Sequence, residues 1–209
     1  MVQLGEMMSR IPYIRIDQFD EDQEAFFNNL TQGKRAGRSG VDRFLTPEKG
    51  LKGPFNAWLY RPKLGDTAQR LGEMLRYEGE LPPQSRELAV LVVAAEWEAA
   101  YEWWAHERIG KAVGLDEDII AAVKEDRKPL FENSDQEIVY DFSRELIRTR
   151  NVSDSLYHRA IERLGETKVV ELVILVGYYT LISMTMNVFK VPLPKDDDTP
   201  IGIVKTEDE

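Results

Sequence analysis

Residues 96–106, EWEAAYEWWAH, hold three of the chain's four tryptophans, a tyrosine, three glutamates and one of its only two histidines. On a helix, side chains three and four apart share a face, so Glu98, Glu102 and His106 can line one ridge. A carboxylate beside an imidazole favours the charged ring and raises its pKa. Such a ring is a candidate proton donor near neutral pH. Ala99 and Trp103 flank the histidine on one side and Ile109 on the other, with Tyr101 and Trp104 further round. An apolar wall of this kind excludes water and strengthens the charge interactions inside it. The plainer reading is a histidine tucked under tryptophans and satisfied by Glu102, with no chemical task. His158 is the weaker candidate. Asp154, His158 and Glu162 repeat at four, opposite Leu156, Ala160 and Leu164, as on a solvated ion-pair face.

Other chemistries find little support. The chain has no cysteine, which excludes disulfides, thiolate nucleophiles and cysteine-ligated metals. Two distant histidines, with no H-x-x-x-H or E-x-x-H pair, make a poor zinc or iron site, so no metal is expected. No G-x-G-x-x-G, P-loop or G-x-S-x-G stands in a suitable context, and no cofactor is expected. A formal charge of −10 argues against nucleic acid or an anionic membrane as partner. The first residues, MVQLGEMMSRIPYIRI, lack a long apolar h-region, and a cytoplasmic protein is the default expectation.

The elements that must position these residues are helical throughout. Asp20 can cap a first helix reaching about Gln32, with Ala25, Phe26, Phe27 and Leu30 inward. GKRAGRSGVDRFLTPEKGLKG (33–53) is a long Gly-rich loop carrying Lys34, Arg35, Arg38 and Arg43, either a solvated surface or an anion-attracting flap. PFNAWLYRP forms a short helix between prolines; Leu64, Ala68, Leu71 and Leu75 give the next helix its stripe. Pro83 opens the following helix, with Leu88, Leu91, Val92 and Ala95 on one face, and Gly114 closes the helix carrying His106. Asp116 starts a short helix with Ile119, Ile120 and Val123 inside. SDQE (134–137) reads as a capping box on Ser134, leading a helix with Ile138, Phe142 and Leu146 inward. Ser153 or Asp154 starts another helix, which stops before Gly165. The last runs from about Thr167 to Phe189, where Pro192 and Pro194 forbid continuation. Its stretch VVELVILVGYYTLISMTMNVF is long enough to span a bilayer, but Glu171 and several polar groups favour the buried centre of a bundle or oligomer. One all-α domain over residues 1–195 and an exposed acidic tail over 196–209 are therefore expected.

Three segments, GPFNAWLYRPKL (53–64), LPPQSRELAVLVVAAEWEAAYEWWAHERIGKAVGL (81–115) and VVELVILVGYYTLISMTMNVFKVPLP (169–194), resemble the carboxymuconolactone decarboxylase family, with its alkylhydroperoxidase-D-like helical fold. The likeness covers roughly residues 10–195, and the middle segment (R-E-L, then Y-E-W-x-x-H, then G-L) is its most specific part. The family's thiol-peroxidase branch has a glutamate, eleven intervening residues and Cys-x-x-Cys-x-x-x-His. Laid on this chain, the glutamate is Glu87 and the histidine His106. The cysteine positions hold Ala99 and Glu102, and Tyr101 stands where a further histidine is frequent. Peroxide reduction by that route needs a thiolate, so the resemblance implies the fold and the Glu–His pair without that activity.

The decarboxylase branch needs no cysteine. Its namesake loses CO₂ from a carboxylated, unsaturated lactone, and the bond-breaking electrons flow into a conjugated carbonyl to make a dienolate. Such a site must hold the substrate's acids, stabilise an oxyanion and deliver a proton to carbon. The resemblance suggests His106 as donor or acid and Glu87 as its orienting partner, with Glu102 as the alternative. Tyr101 would supply a hydroxyl, Trp103 or Trp104 a flat wall, and Arg86 and Arg108 would be carboxylate clamps. It also implies a homo-oligomer (dimer, trimer or hexamer) and a small-molecule substrate. Glu87 and His106 would stand roughly 28 Å apart on one straight helix, so a break is expected near Trp97–Ala99, although AAEWEAA has no Gly or Pro and its alanines and glutamates are good helix formers. A ligand-binding or scaffold oligomer without catalysis, and a cysteine-free peroxidase, are the competing readings.

Overall fold

Ten consecutive residues, Ser85 to Ala94, are buried, so the helix that carries them has no solvent face. This helix lies at the centre of a computed structural model, which describes residues 9–35, 41–47, 49–194 and 200. In chain order the helices are α1 (Glu21–Gln32), α2 (Phe55–Trp58), α3 (Pro62–Tyr77), α4 (Pro83–Glu96), α5 (Ala100–Ala112), α6 (Glu117–Lys124), α7 (Ser134–Thr149), α8 (Asp154–Leu164) and α9 (Glu166–Phe189). Among the described residues the only β pairing is an isolated bridge between Leu45 and Leu51. The fold is all-α. Helix α4 packs against α7, α5 and α9, and an apolar run such as LAVLVVAA suits a helix enclosed on every side.

Local signals set most boundaries. Asp20 and Gln23 form a reciprocal capping box at the start of α1, with Gln23 N–H donating to Asp20 Oδ1 over 2.8 Å. Asp116 caps α6 through the Asp118 N–H. At α7 the expected box on Ser134 does not form: Asn133 is the cap, and its side chain accepts from the Asp135 N–H.

Two expected faces differ. Ala25 is exposed, while Phe26 and Leu30 are buried. On α3 the buried face is Gly65, Gln69, Gly72 and Leu75, and Leu64, Leu71 and Met74 lie exposed. The glycines let α3 approach its neighbours closely, and that contact outcompetes burial of the leucines. Helix α9 is long and apolar enough to cross a membrane by length and composition, yet more than half of its most apolar stretch is buried in the bundle. Leu172, Leu175, Val176, Tyr179 and Ile182 face in; Val170, Val173, Ile174, Leu181 and Val188 face out.

The 33–53 segment is more structured than its glycines suggest. Phe44, Leu45 and Leu51 join Phe26, Leu30, Phe55 and Leu59 in a separate apolar cluster. Residues 36–40, with Arg38, and Glu48 lie outside the described residues, as does the expected tail over 196–209 apart from Pro200.

Candidate active site

Between α4 and α5 the chain turns at Trp97–Ala99 through a Schellman ending. The Ala99 N–H donates to the Ala94 carbonyl at 2.9 Å and the Glu98 N–H to the Ala95 carbonyl at 3.0 Å. Glu98 takes the left-handed position, φ +48°, where glycine is usual. The Asn187 amide on α9 donates to the Trp97 carbonyl at 2.7 Å and satisfies it at the turn. This is the expected break.

The turn folds α5 back along α4. His106 Nδ1 meets Glu87 Oε2 at 2.6 Å, and His106 Nε2 lies 3.2 Å from Glu102 Oε2. Both carboxylates therefore partner the ring, one from each helix. All three side chains are buried, Glu87 completely. The other Glu87 oxygen faces two guanidiniums, with Arg86 Nε at 3.3 Å and Arg76 Nη2 at 3.5 Å. Arg86 Nη1 also donates to the Arg76 carbonyl at 3.0 Å. The Tyr179 ring stands edge-on to the imidazole, centroids 4.9 Å apart, and Tyr178 packs edge-on to Tyr179 at 5.3 Å.

Charge follows from this arrangement. Burial alone would raise the Glu87 carboxyl, but the His106 charge and hydrogen bond, with Arg76 and Arg86 behind, hold it down at about 2. Burial works against a charged His106 as well. The Glu87 charge and the Glu102 hydrogen bond outweigh it, and the imidazole pKa lies above its ordinary value. With an acceptor on each nitrogen, the ring is held as an imidazolium. Burial raises Tyr179 and lifts Tyr178 to about 12, so both phenols stay neutral.

The remaining sequence candidates are placed differently. Trp103 packs against the Leu88–Ile120–Tyr140 cluster, donates to Glu107 at 2.9 Å and carries Lys124 over its ring. Trp104 is buried beside Tyr101, with Arg108 stacked on it at 4.9 Å and donating to its carbonyl. Tyr101 is half-buried beside Gly53. The aromatic partner of His106 is thus Tyr179, which sequence reasoning missed along with Arg76. Arg86 is engaged by Glu87, and Arg108 by Trp104. His158 is exposed, its Nδ1 on the Asp154 carbonyl. Two surface cavities, about 360 Å³ between α7 and α8 and about 260 Å³ beside Glu96, Glu98 and Tyr140, do not include His106, Glu87 or Glu102. Among the described residues, no three histidine or acidic side chains are grouped to hold a metal ion.

Comparison with known proteins follows the same lines. Residues 62–129, which include Arg76, Glu87, Glu102 and His106, match the model of the Carboxymuconolactone decarboxylase family. No curated protein matches the chain. A solved structure from Ralstonia eutropha JMP134, described as an alkylhydroperoxidase AhpD core and an uncharacterized peroxidase-related protein, superposes with a TM-score of 0.69 at 14% identity, covering 94% of this chain and 98% of its own. An uncharacterized peroxidase-related protein from Silicibacter sp. TM1040 gives the same TM-score at 11% identity, covering 95% and 97%. Over residues 62–129 this cysteine-free chain is thus similar to the Carboxymuconolactone decarboxylase family, and its fold is alkylhydroperoxidase-D-like.

Proposed function

We propose that the protein is a cofactor-independent lyase resembling 4-carboxymuconolactone decarboxylase, acting on a small carboxylated lactone or ring-cleavage product. The observation that carries this is the buried Glu87–His106–Glu102 chain, a proton relay between two carboxylates of unequal character. Glu87, fixed by two arginines, is the anchor. Glu102 is the terminal group and takes the place of a family cysteine. In the proposed step, the bond to the substrate's carboxylate breaks, CO₂ leaves, and the electron pair enters the conjugated carbonyl as a dienolate. The His106 Nε2 proton passes to Glu102 and on to the substrate carbon, leaving a neutral imidazole held by Glu87. A proton from solvent resets the relay. Without a thiolate, the cysteine route to peroxide reduction is closed.

One observation favours a second reading, a ligand-binding or scaffold oligomer. The imidazole is buried, both its nitrogens are occupied, and the cavities described lie elsewhere. A panel of carboxylated lactones and β-keto acids separates the two. CO₂ release that is lost in His106→Gln supports the lyase; no release from any member supports the scaffold. Peroxide consumption without added metal would instead favour a cysteine-free peroxidase. The outward apolar residues of α3 and α9 support assembly into a homo-oligomer, since one copy leaves them in water.

A further inference from the structure

Arg35 follows α1 and lies against α3, with its guanidinium over the Phe55 ring at 5.9 Å and beside Tyr178. Its Nη2 donates to the Gln69 carbonyl at 3.2 Å, and the guanidinium hydrogen-bonds the Tyr178 hydroxyl. These contacts fix its orientation. Its Nε is buried and has no hydrogen-bond partner, and among the described residues no carboxylate pairs with it. A buried guanidinium N–H without an acceptor is costly, and a carboxylate oxygen is the acceptor that suits it best.

Space for the group depends on Gly72. A Cβ at that position would overlap the Tyr178 hydroxyl and lie 2.6 Å from Arg35 Nη2. Glycine therefore admits both groups against α3. Tyr178 packs edge-on to Tyr179, whose ring in turn meets His106, so two rings connect Arg35 to the relay. Behind Tyr178 and Tyr179, two guanidiniums (Arg76 and Arg86) and one imidazolium meet two carboxylates, Glu87 and Glu102. The interior is locally cationic in a protein of net charge −10. Uncompensated buried charge is unfavourable, and an anionic ligand relieves it.

We propose that Arg35 is the carboxylate anchor of this site, binding the acid group of a small unsaturated or aromatic carboxylate beside the Tyr178 hydroxyl. This rests on the reading of the relay as acting on a carboxylated substrate. It replaces Arg86 and Arg108, which are engaged elsewhere, with an arginine whose Nε–H has no hydrogen-bond partner. A planar fork suits a carboxylate better than a lysine would.

Calorimetric titration of the full chain with benzoate, and with benzamide as its neutral analogue, tests the anchor. The wild type binds benzoate and discriminates against benzamide. Arg35→Ala weakens benzoate at least about tenfold, as loss of a charge-assisted hydrogen bond requires. Arg35→Lys falls between, and Gly72→Ala weakens it by displacing Tyr178. Benzoate affinity unchanged in Arg35→Ala, equal binding of benzamide, or no benzoate binding by the wild type overturns the proposal. Should Arg35→Ala not fold, folded Arg35→Lys decides: weakened affinity supports the anchor and wild-type affinity contradicts it. Arg35-dependent benzoate binding with no CO₂ from any lactone would leave the anchor standing and retire the lyase.

Discussion

His106 Nδ1 stands 2.6 Å from Glu87 Oε2, although they lie nineteen positions apart in sequence and each belongs to a helix of ordinary length. The contact exists because α4 ends at Glu96 and α5 begins at Ala100. Chemistry at this site therefore depends on a turn that itself carries no reacting group.

Glu98 bears the backbone cost of that turn. A non-glycine residue in the left-handed region is disfavoured by about 1–2 kcal/mol. Glu98→Gly should relieve part of this and raise stability by about 0.5–1 kcal/mol, read as a higher urea midpoint. Unchanged or lower stability would show that the Glu98 side chain has a compensating role.

The two glutamates should respond differently to loss of charge. Glu102→Gln removes the terminal proton carrier and should lower kcat by about a hundredfold or more, with the fold intact. Glu87→Gln should also lower the pKa of His106, because its strongest opposing charge is gone. Ring-carbon NMR titration of His106 in both variants checks this; a smaller shift in Glu87→Gln than in Glu102→Gln would reverse the assignment of anchor and carrier.

Arg76 is buried against Glu87, and its removal leaves that carboxylate short of a counter-charge. Arg76→Ala should cost about 3–5 kcal/mol, in the range for breaking a buried pair. A loss under about 1 kcal/mol would mean that the guanidinium contributes no more than a surface ion pair.

The relay also sets a pH window. Glu87 titrates below its ordinary value of about 4.5, so its stabilisation is present above that pH and is lost as pH falls through about 2. His106 titrates above about 6.5, so its stabilisation is present below that pH and fades as pH rises through the raised value. The stability gap between wild type and His106→Gln should be widest between about pH 4.5 and 6.5 and narrow on the alkaline side. A gap that grows with alkalinity would contradict the imidazolium.

Much of the helical frame was legible because the chain marks it chemically. Asp20, Asp116, Gly114 and Gly165 stand at helix ends, and apolar periodicity places most of the helices between them. The exposure of Leu64 and Leu71 on α3 was not legible from periodicity, although Leu75 is buried as expected. Gly65 and Gly72 permit close approach, an effect of tertiary contact that a hydrophobic stripe does not encode. Nor does local propensity reveal the break, since glutamate at Glu98 is a good helix former; only the family resemblance implied it. His106, Glu87 and Glu102 could be found by spacing and resemblance. Arg76 and Tyr179 could not, because each lies on another helix and is brought by packing alone, Arg76 to Glu87 and Tyr179 to the ring.

The most direct test of the central claim is CO₂ release from a carboxylated, unsaturated lactone at neutral pH by the wild type and by folded His106→Gln. The relay requires turnover in the wild type and a loss of about a hundredfold or more in the variant. Turnover of equal rate in both proteins would contradict it.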